Sequence, residues 1–185
     1  MTQRCIGYLP RLVEPRPAWL EDQRVQRICS LSTCISADAG RDHGPRNRLW
    51  LYPTPEDAEE ASSGSDSVVF GYRLLDEAWA DGEVRRPMIV GSAAPIPAGW
   101  QRLGLDVVGV GATEQLECSP LSCNGRSPDF AVNADCLVET EREARRASRD
   151  FGAGNAEPGT YHIVEVWVSG DEGRAPRREG GLGHP

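Results

Sequence analysis

The chain predicts an α+β fold: one domain, a mixed or mainly antiparallel sheet, and two to three helices packed mostly on one face. Three observations predict it. Short apolar runs of strand length recur along the sequence. Three segments with helix-start chemistry are interspersed among them. The order of elements lacks the strict alternation that builds a parallel sheet. With 185 residues, 39% of them hydrophobic and 26% charged, the chain suits one domain that hides roughly 70% of its unfolded surface.

The first strand is read over Cys5-Ile6-Gly7-Tyr8-Leu9. Pro10, Pro15 and Pro17 keep the next stretch extended. Pro17 to Asp22 offers a helix start, with proline first and acids in the opening turn. Val25 to Ile35 is ambiguous, with an alternation that permits a strand. Asp38 to Asn47 reads as a loop, and Arg48 to Tyr52 as a strand. Thr54-Pro55-Glu56-Asp57 opens a short helix: a capping hydroxyl, a proline, then two acids. Ser62 to Ser65 ends it.

Val68 to Leu75 is the next strand, with Phe70, Tyr72 and Leu74 on one face. Met88-Ile89-Val90 offers a short one. Pro95 to Gly99 is a turn-rich connector, and Leu105 to Val110 a strand. The strongest helix is read over about Asp135 to Phe151, capped by Asn133 or Asp135, with Gly152 and Gly154 stopping it. Tyr161 to Val168 is apolar on both faces and reads as an interior strand. The domain is placed at residues 1–169. Residues 170–185, rich in Gly, Glu, Arg and Pro, read as a disordered tail. No repeat of solenoid length is evident.

The net charge is −8. Such a surface repels a phosphate backbone, which excludes the common modes of nucleic-acid binding. All 20 basic residues are Arg. The first ten residues lack a basic start followed by an apolar run, so no secretory signal is read. No window approaches the roughly 18 apolar residues of a membrane span. The expectation is a cytoplasmic protein whose six cysteines are thiols or metal ligands rather than disulfides.

Two segments resemble each other: Cys29-Ser30-Leu31-Ser32-Thr33-Cys34 and Cys118-Ser119-Pro120-Leu121-Ser122-Cys123. Four thiolates at Cys29, Cys34, Cys118 and Cys123 would complete a tetrahedral zinc site, although four intervening residues is wide for ligand spacing. Two other readings stand beside it. Free cysteines pack as small hydrophobes, or one serves as a redox or nucleophilic thiol. A nucleophile needs a base, and the histidines are His43, His162 and His184. His43 sits in a polar loop, His184 in the tail, and His162 on an apolar strand face where a core role is the ordinary one.

Acids cluster at Glu56, Asp57, Glu59 and Glu60 and at Glu139, Glu141 and Glu143, which read as wet helix faces. Glu165 differs. On an interior strand it requires a partner, and an arginine is expected. The glycines Gly104, Gly109 and Gly111 do not make a dinucleotide fingerprint, and no phosphate loop or nucleophile elbow is present.

The run Glu117-Cys118-Ser119-Pro120-Leu121-Ser122-Cys123-Asn124 resembles a segment of a group of uncharacterised bacterial proteins. Val132-Asn133, Glu157-Pro158-Gly159, Ile6 to Leu12 and Ile28-Cys29-Ser30 fit the same resemblance. It brings no activity and no catalytic residue with it. Whether the chain is an enzyme stays open. The sequence favours a non-catalytic accessory module that binds a protein or small ligand, without a cofactor. The alternative is a zinc-binding or thiol-dependent protein built on the two cysteine pairs.

Overall fold

The computed structural model describes residues 4–31, 46–47, 49–63, 66–80, 83–84, 93–110, 116, 118–156 and 160–169. Its centre is an antiparallel sheet in the order β1 (Arg4–Arg11), β4 (Val68–Ala80), β7 (Thr160–Val168), β6 (Gln101–Val110). A short β5 (Glu83–Val84) pairs with the end of β4, and β2 (Glu14–Pro15) pairs with β3 (Arg27–Ile28) apart from the sheet. The helices are α1 (Pro55–Ser62), a single turn α2 (Pro120–Cys123) and α3 (Glu141–Asp150). The fold is α+β in one domain. Residues 170–185 and the strand expected at Met88–Val90 lie outside the described residues.

The strand expectations over residues 5–9, 68–75, 105–110 and 161–168 hold at their centres. β7 lies between β4 and β6, which explains why it is apolar on both faces. The helix expected from Thr54 forms, with the Thr54 side chain accepting from the Asp57 amide. Three expectations fail. The strand expected at Arg48 to Tyr52 does not form: Leu49 and Trp50 turn, Trp50 at a positive φ that breaks the extended run, and Tyr52 makes an isolated bridge to Tyr8. Pro17 to Asp22 makes no helix; the chain turns there, with the Leu20 amide donating to the Pro17 carbonyl at 3.1 Å. The long helix begins only at Glu141, capped by Thr140. Asn133 and Asp135 belong to a separate turn, because the Asn133 side chain competes for local amides in the way that keeps asparagine out of helix interiors.

That turn occurs twice. The Asn47 Oδ1 accepts from the amides of Leu49 (2.9 Å) and Leu51 (3.1 Å), and its Nδ2 donates to the Ile6 carbonyl of β1 at 2.7 Å. The Asn133 Oδ1 accepts from Asp135 (3.0 Å) and Leu137 (3.1 Å), and its Nδ2 donates to the Leu103 carbonyl of β6 at 2.9 Å. Each turn places its fourth residue in the left-handed region, Trp50 at φ 63° and Cys136 at φ 61°. Each then pairs with an outer strand, Tyr52 with Tyr8 and Val138 with Leu105. The outer strands give way at a glycine. A Cβ on Gly7 would lie 2.6 Å from the Leu51 Cβ, and one on Gly104 2.8 Å from the Leu137 Cβ. Both strands are irregular at that point.

The helices repeat as well. Thr54, Ala58, Ala61 and Ser62 stand 86 positions before Thr140, Ala144, Ala147 and Ser148. The same alanines are buried in each helix. The molecule is thus two copies of one strand–turn–helix–strand unit, β1 to β4 and β6 to β7. The pairs Gly7–Tyr72 and Tyr8–Gly71 answer to Gly104–Val166 and Leu105–Glu165. The facing pair Tyr72–Val166 therefore lies on an approximate twofold axis.

Both long helices cover one face. α1 packs on Cys5, Tyr8 and Val69, and α3 on Leu105, Val107, Tyr161 and Ile163. The other face, with Ile6, Phe70, Tyr72, Val164 and Val166, is covered by Cys29, Leu31, Leu49, Leu51 and Leu137 from the loops. Each fully buried leucine there contributes roughly 2 kcal/mol. Asn47→Ala and Asn133→Ala each remove three bonds to buried backbone. Each substitution is expected to cost about 3 kcal/mol in urea unfolding, and the two losses should be similar because the two turns do the same work.

Candidate functional site

The two Cys-Ser segments meet, but through serines. The Ser30 Oγ donates to the Ser122 Oγ at 2.7 Å, and both serines are fully buried. Ser30 adjoins Cys29 and Ser122 adjoins Cys123, so the described part of the first segment lies beside the second. The thiols themselves do not close a ligand set among the described residues, where no group of three or more His, Cys, Asp or Glu is placed to hold a metal. Cys34, His43 and His184 lie outside the described residues.

Each remaining thiol has its own surroundings. Cys29 is buried, and its Sγ donates to the Asp135 Oδ1 at 3.7 Å. Burial, then the Asp135 charge, push this thiol up to about 12, against the opposing pull of Arg27 and Arg11. Cys136 is buried beside it and raised further by the same two causes, burial and nearby acids. Cys5 lies under α1 and is raised by burial. Cys118, before α2, and Cys123, its last residue, are half-buried.

The joined segments sit on a charged floor. Asp106 is fully buried on β6. Its Oδ2 accepts from the Leu31 amide at 2.6 Å and its Oδ1 from the Val107 amide at 2.8 Å. Burial pushes this carboxyl up to about 6, opposed by the Ser119 hydroxyl, the two amides and the Arg11 charge. Arg11, also buried, reaches from the end of β1 and donates to the Ser30 carbonyl at 2.8 Å. The result is a polar seam in which Leu31 and Ser30 of the first unit bond to Asp106 and Ser122 of the second, with Arg11 holding the Ser30 carbonyl.

The seam is one end of a longer strap. Arg24 donates to the carbonyls of Ser127 (3.0 Å) and Phe130 (2.9 Å). The amides of Gln26 and Arg27 donate to the Ala134 carbonyl, and the Cys29 amide to that of Asp135. The Arg27 guanidinium pairs with the Asp135 carboxylate. Residues 22–31 of the first unit therefore lie across the turn of the second.

Glu165 has the arginine partner expected of it, and a second one. Arg73 and Arg102 both pair with it, the latter at 2.9 Å, and the Trp167 indole donates at 3.4 Å. Arg73 also lies over the Trp167 ring, 4.9 Å from its centre. The two guanidinium groups balance the charge of this carboxylate. His162 faces the apolar side of β7, only 4% exposed, and its Nδ1 has no hydrogen-bond partner among the described residues. Burial lowers it to about 4, so it is neutral at physiological pH.

Arg11, Asp106, Asp135 and the two buried serines escaped the sequence reading because each looks unexceptional alone. The spacing that would have found the turn bearing Asp135 is the 86-residue offset between Asn47-Arg48-Leu49-Trp50-Leu51 and Asn133-Ala134-Asp135-Cys136-Leu137. Set against family models, curated proteins and solved structures, the chain finds no match.

His162 and Asp106 bias stability in opposite directions. The folded-state pKa of His162 lies below 6.5, so its contribution is complete above pH 6.5 and falls away as pH drops toward 4. That of Asp106 lies above 3.8, so its contribution is complete below pH 3.8 and is lost as pH rises through 6. Each amounts to about 3 kcal/mol at full extent. In His162→Gln, stability should fall from pH 4 to 6 relative to the parent; in Asp106→Asn it should rise. Urea midpoints across this range check both signs.

Proposed function

We propose that this protein is a non-catalytic accessory module that binds a protein or small ligand, with the doubled unit as its scaffold. The observation that carries this reading is the condition of the groups that chemistry would need. The buried thiols are pushed away from the thiolate form. The buried histidine is neutral at physiological pH. Glu165 is held by two arginines. A nucleophile requires a lowered pKa and an open approach, and a general base requires a pKa near working pH.

The surface charge of −8 favours a protein or small-molecule partner over nucleic acid. No helix among the described residues is long and apolar enough to cross a membrane. Thiols that stay reduced fit a cytoplasmic setting.

A second reading, a structural zinc ion on Cys29, Cys34, Cys118 and Cys123, draws support from the Ser30–Ser122 bond, which brings the two segments together. Against it stands the Cys29 thiol, turned to Asp135.

Two measurements separate the readings. In native protein at pH 7.5, iodoacetamide should modify Cys29 and Cys136 far more slowly than in urea, read by mass spectrometry. A cysteine that alkylates faster than free cysteine would overturn the non-catalytic reading. Elemental analysis of the purified chain should find no stoichiometric zinc. One zinc per chain, lost together with the fold in Cys118→Ser, would establish the second reading instead.

A further inference from the structure

The two long helices agree where they face the sheet and differ where they face outward. The 86-residue offset that matches Ala58 with Ala144 and Ala61 with Ala147 also matches Glu56 with Arg142, Glu59 with Arg145 and Glu60 with Arg146. The buried positions are kept, and the charges on the outside are inverted. On α1, Glu56, Glu59 and Glu60 are exposed, and none has an ion-pair partner among the described residues. They stand three and four positions apart, where like charges destabilise a helix. The last turn of α1 holds no basic residue.

On α3 the charges are partly matched. Arg145 pairs with Glu141 at 3.6 Å and Arg146 with Glu143 at 2.7 Å. Arg142 and Arg149 are exposed and have no ion-pair partner among the described residues. Seven positions apart, they share one face of the helix, opposite the buried Ala144 and Ala147. One side of the sheet thus displays uncompensated negative charge on α1 and uncompensated positive charge on α3.

Between the helices the sheet carries aromatic surface. Gly71 of β4 has no side chain, and Ile96 and the Trp100 ring lie over it; a Cβ there would fall 2.6 Å from the Ile96 Cδ1 and 3.2 Å from the Trp100 Cζ3. Gly71 pairs with Trp167 of β7, whose ring lies under the Arg73 guanidinium. Both positions adjoin the approximate twofold axis at Tyr72–Val166. Ile96, Pro97, Trp100 and Trp167 are each only half-buried. Aromatic and apolar side chains at the centre, with charged residues around them, are the composition of a protein interface.

We propose that the helix-bearing face is the interface of a symmetric dimer of this chain, with α1 of each copy against α3 of the other and the Trp100 and Trp167 surfaces meeting between them. The charge pattern selects the occupant. The internal twofold carries the acidic helix onto the arginine-bearing one, so the face is its own complement. A second copy is turned by half a revolution about an axis that lies in the face, perpendicular to the line joining the helices. Each α1 then stands opposite the α3 of its neighbour. The contact is isologous and closes at two copies. A uniformly acidic or uniformly basic partner would satisfy one helix and repel the other. The helices are only 8 and 10 residues long, so the interface is small and the association is of the micromolar kind. This inference is independent of the binding-module reading, which rests on the thiols, His162 and Glu165.

Sedimentation velocity of the full chain tests it. A monomer–dimer equilibrium is expected, with a dissociation constant of roughly 10–100 μM. Glu56→Arg/Glu60→Arg makes both helices basic, and Arg142→Glu/Arg149→Glu makes both acidic. Each variant alone should dimerise at least tenfold more weakly than the parent. An equimolar mixture of the two should recover a one-to-one dimer, identified by native mass spectrometry, within about threefold of the parent's affinity. Both variants stay acidic overall, so net charge does not draw them together. Circular dichroism and a thermal melt close to the parent's keep loss of fold apart from loss of association. Where a double variant unfolds, Glu60→Arg and Arg142→Glu carry the same expectations singly. A parent chain that stays monomeric at about 200 μM would overturn the proposal. So would folded variants that dimerise as the parent does, or a mixture of them that stays monomeric. None of these outcomes touches the binding-module reading, which alkylation and zinc analysis decide.

Discussion

Two asparagine side chains hold the outer strands to everything else. A sheet of four strands has two edges, each a row of unpaired amides and carbonyls that invites aggregation. Here each edge is closed by a turn from its own unit, bonded to the strand through an asparagine amide and then through a backbone bridge. The glycine opposite each turn is the other half of the device. Gly7 and Gly104 let the turn approach to a distance no Cβ tolerates. Without that approach Leu51 and Leu137 would not reach the core on the loop-covered face, and the sheet would present apolar surface to water on that side.

The second constraint is what joins the units. Apolar burial between β4 and β7 is non-directional, and it does not by itself choose which loop lies where. The polar seam does. A carboxylate as deeply buried as Asp106 is tolerated only where donors reach it. Two of those donors are the amides of Leu31 and Val107, one from each unit. Arg11 and the two serines complete the match. A misplaced strap would leave these groups without partners, at a cost of several kcal/mol. Specificity of assembly is therefore concentrated in a few polar atoms within an otherwise apolar interior.

Local signals were legible in the sequence, and cooperative ones were not. Thr54-Pro55-Glu56-Asp57 announces its helix because capping chemistry is confined to four neighbouring residues. β7 announces its interior place because both faces are apolar. The need of Glu165 for arginine follows from burial alone. By contrast, Asn133 looks like a helix cap in isolation, since the same side-chain oxygen serves a cap or a turn. Only Leu103 across the gap decides between them. The cysteine pairs stood out by residue type, yet the serines between them carry the contact. The repeat was visible only in the combination of an asparagine, a leucine, a threonine and two alanines spaced alike, with nearly every residue between them changed.

Duplication with divergence also accounts for how the two units come to differ. Residues that make the backbone are kept in both units: the asparagine, the glycine, the threonine cap, the buried alanines. Residues that meet the surroundings are free to differ. At one left-handed position a small thiol lets the strap close over the turn; at the other an indole stands in solvent. The same turn is thus crossed by the strap in one unit and carries a half-exposed indole in the other. The strap is drawn from the long connection after β1, whose 17 residues between Arg11 and Cys29 let it reach the second unit.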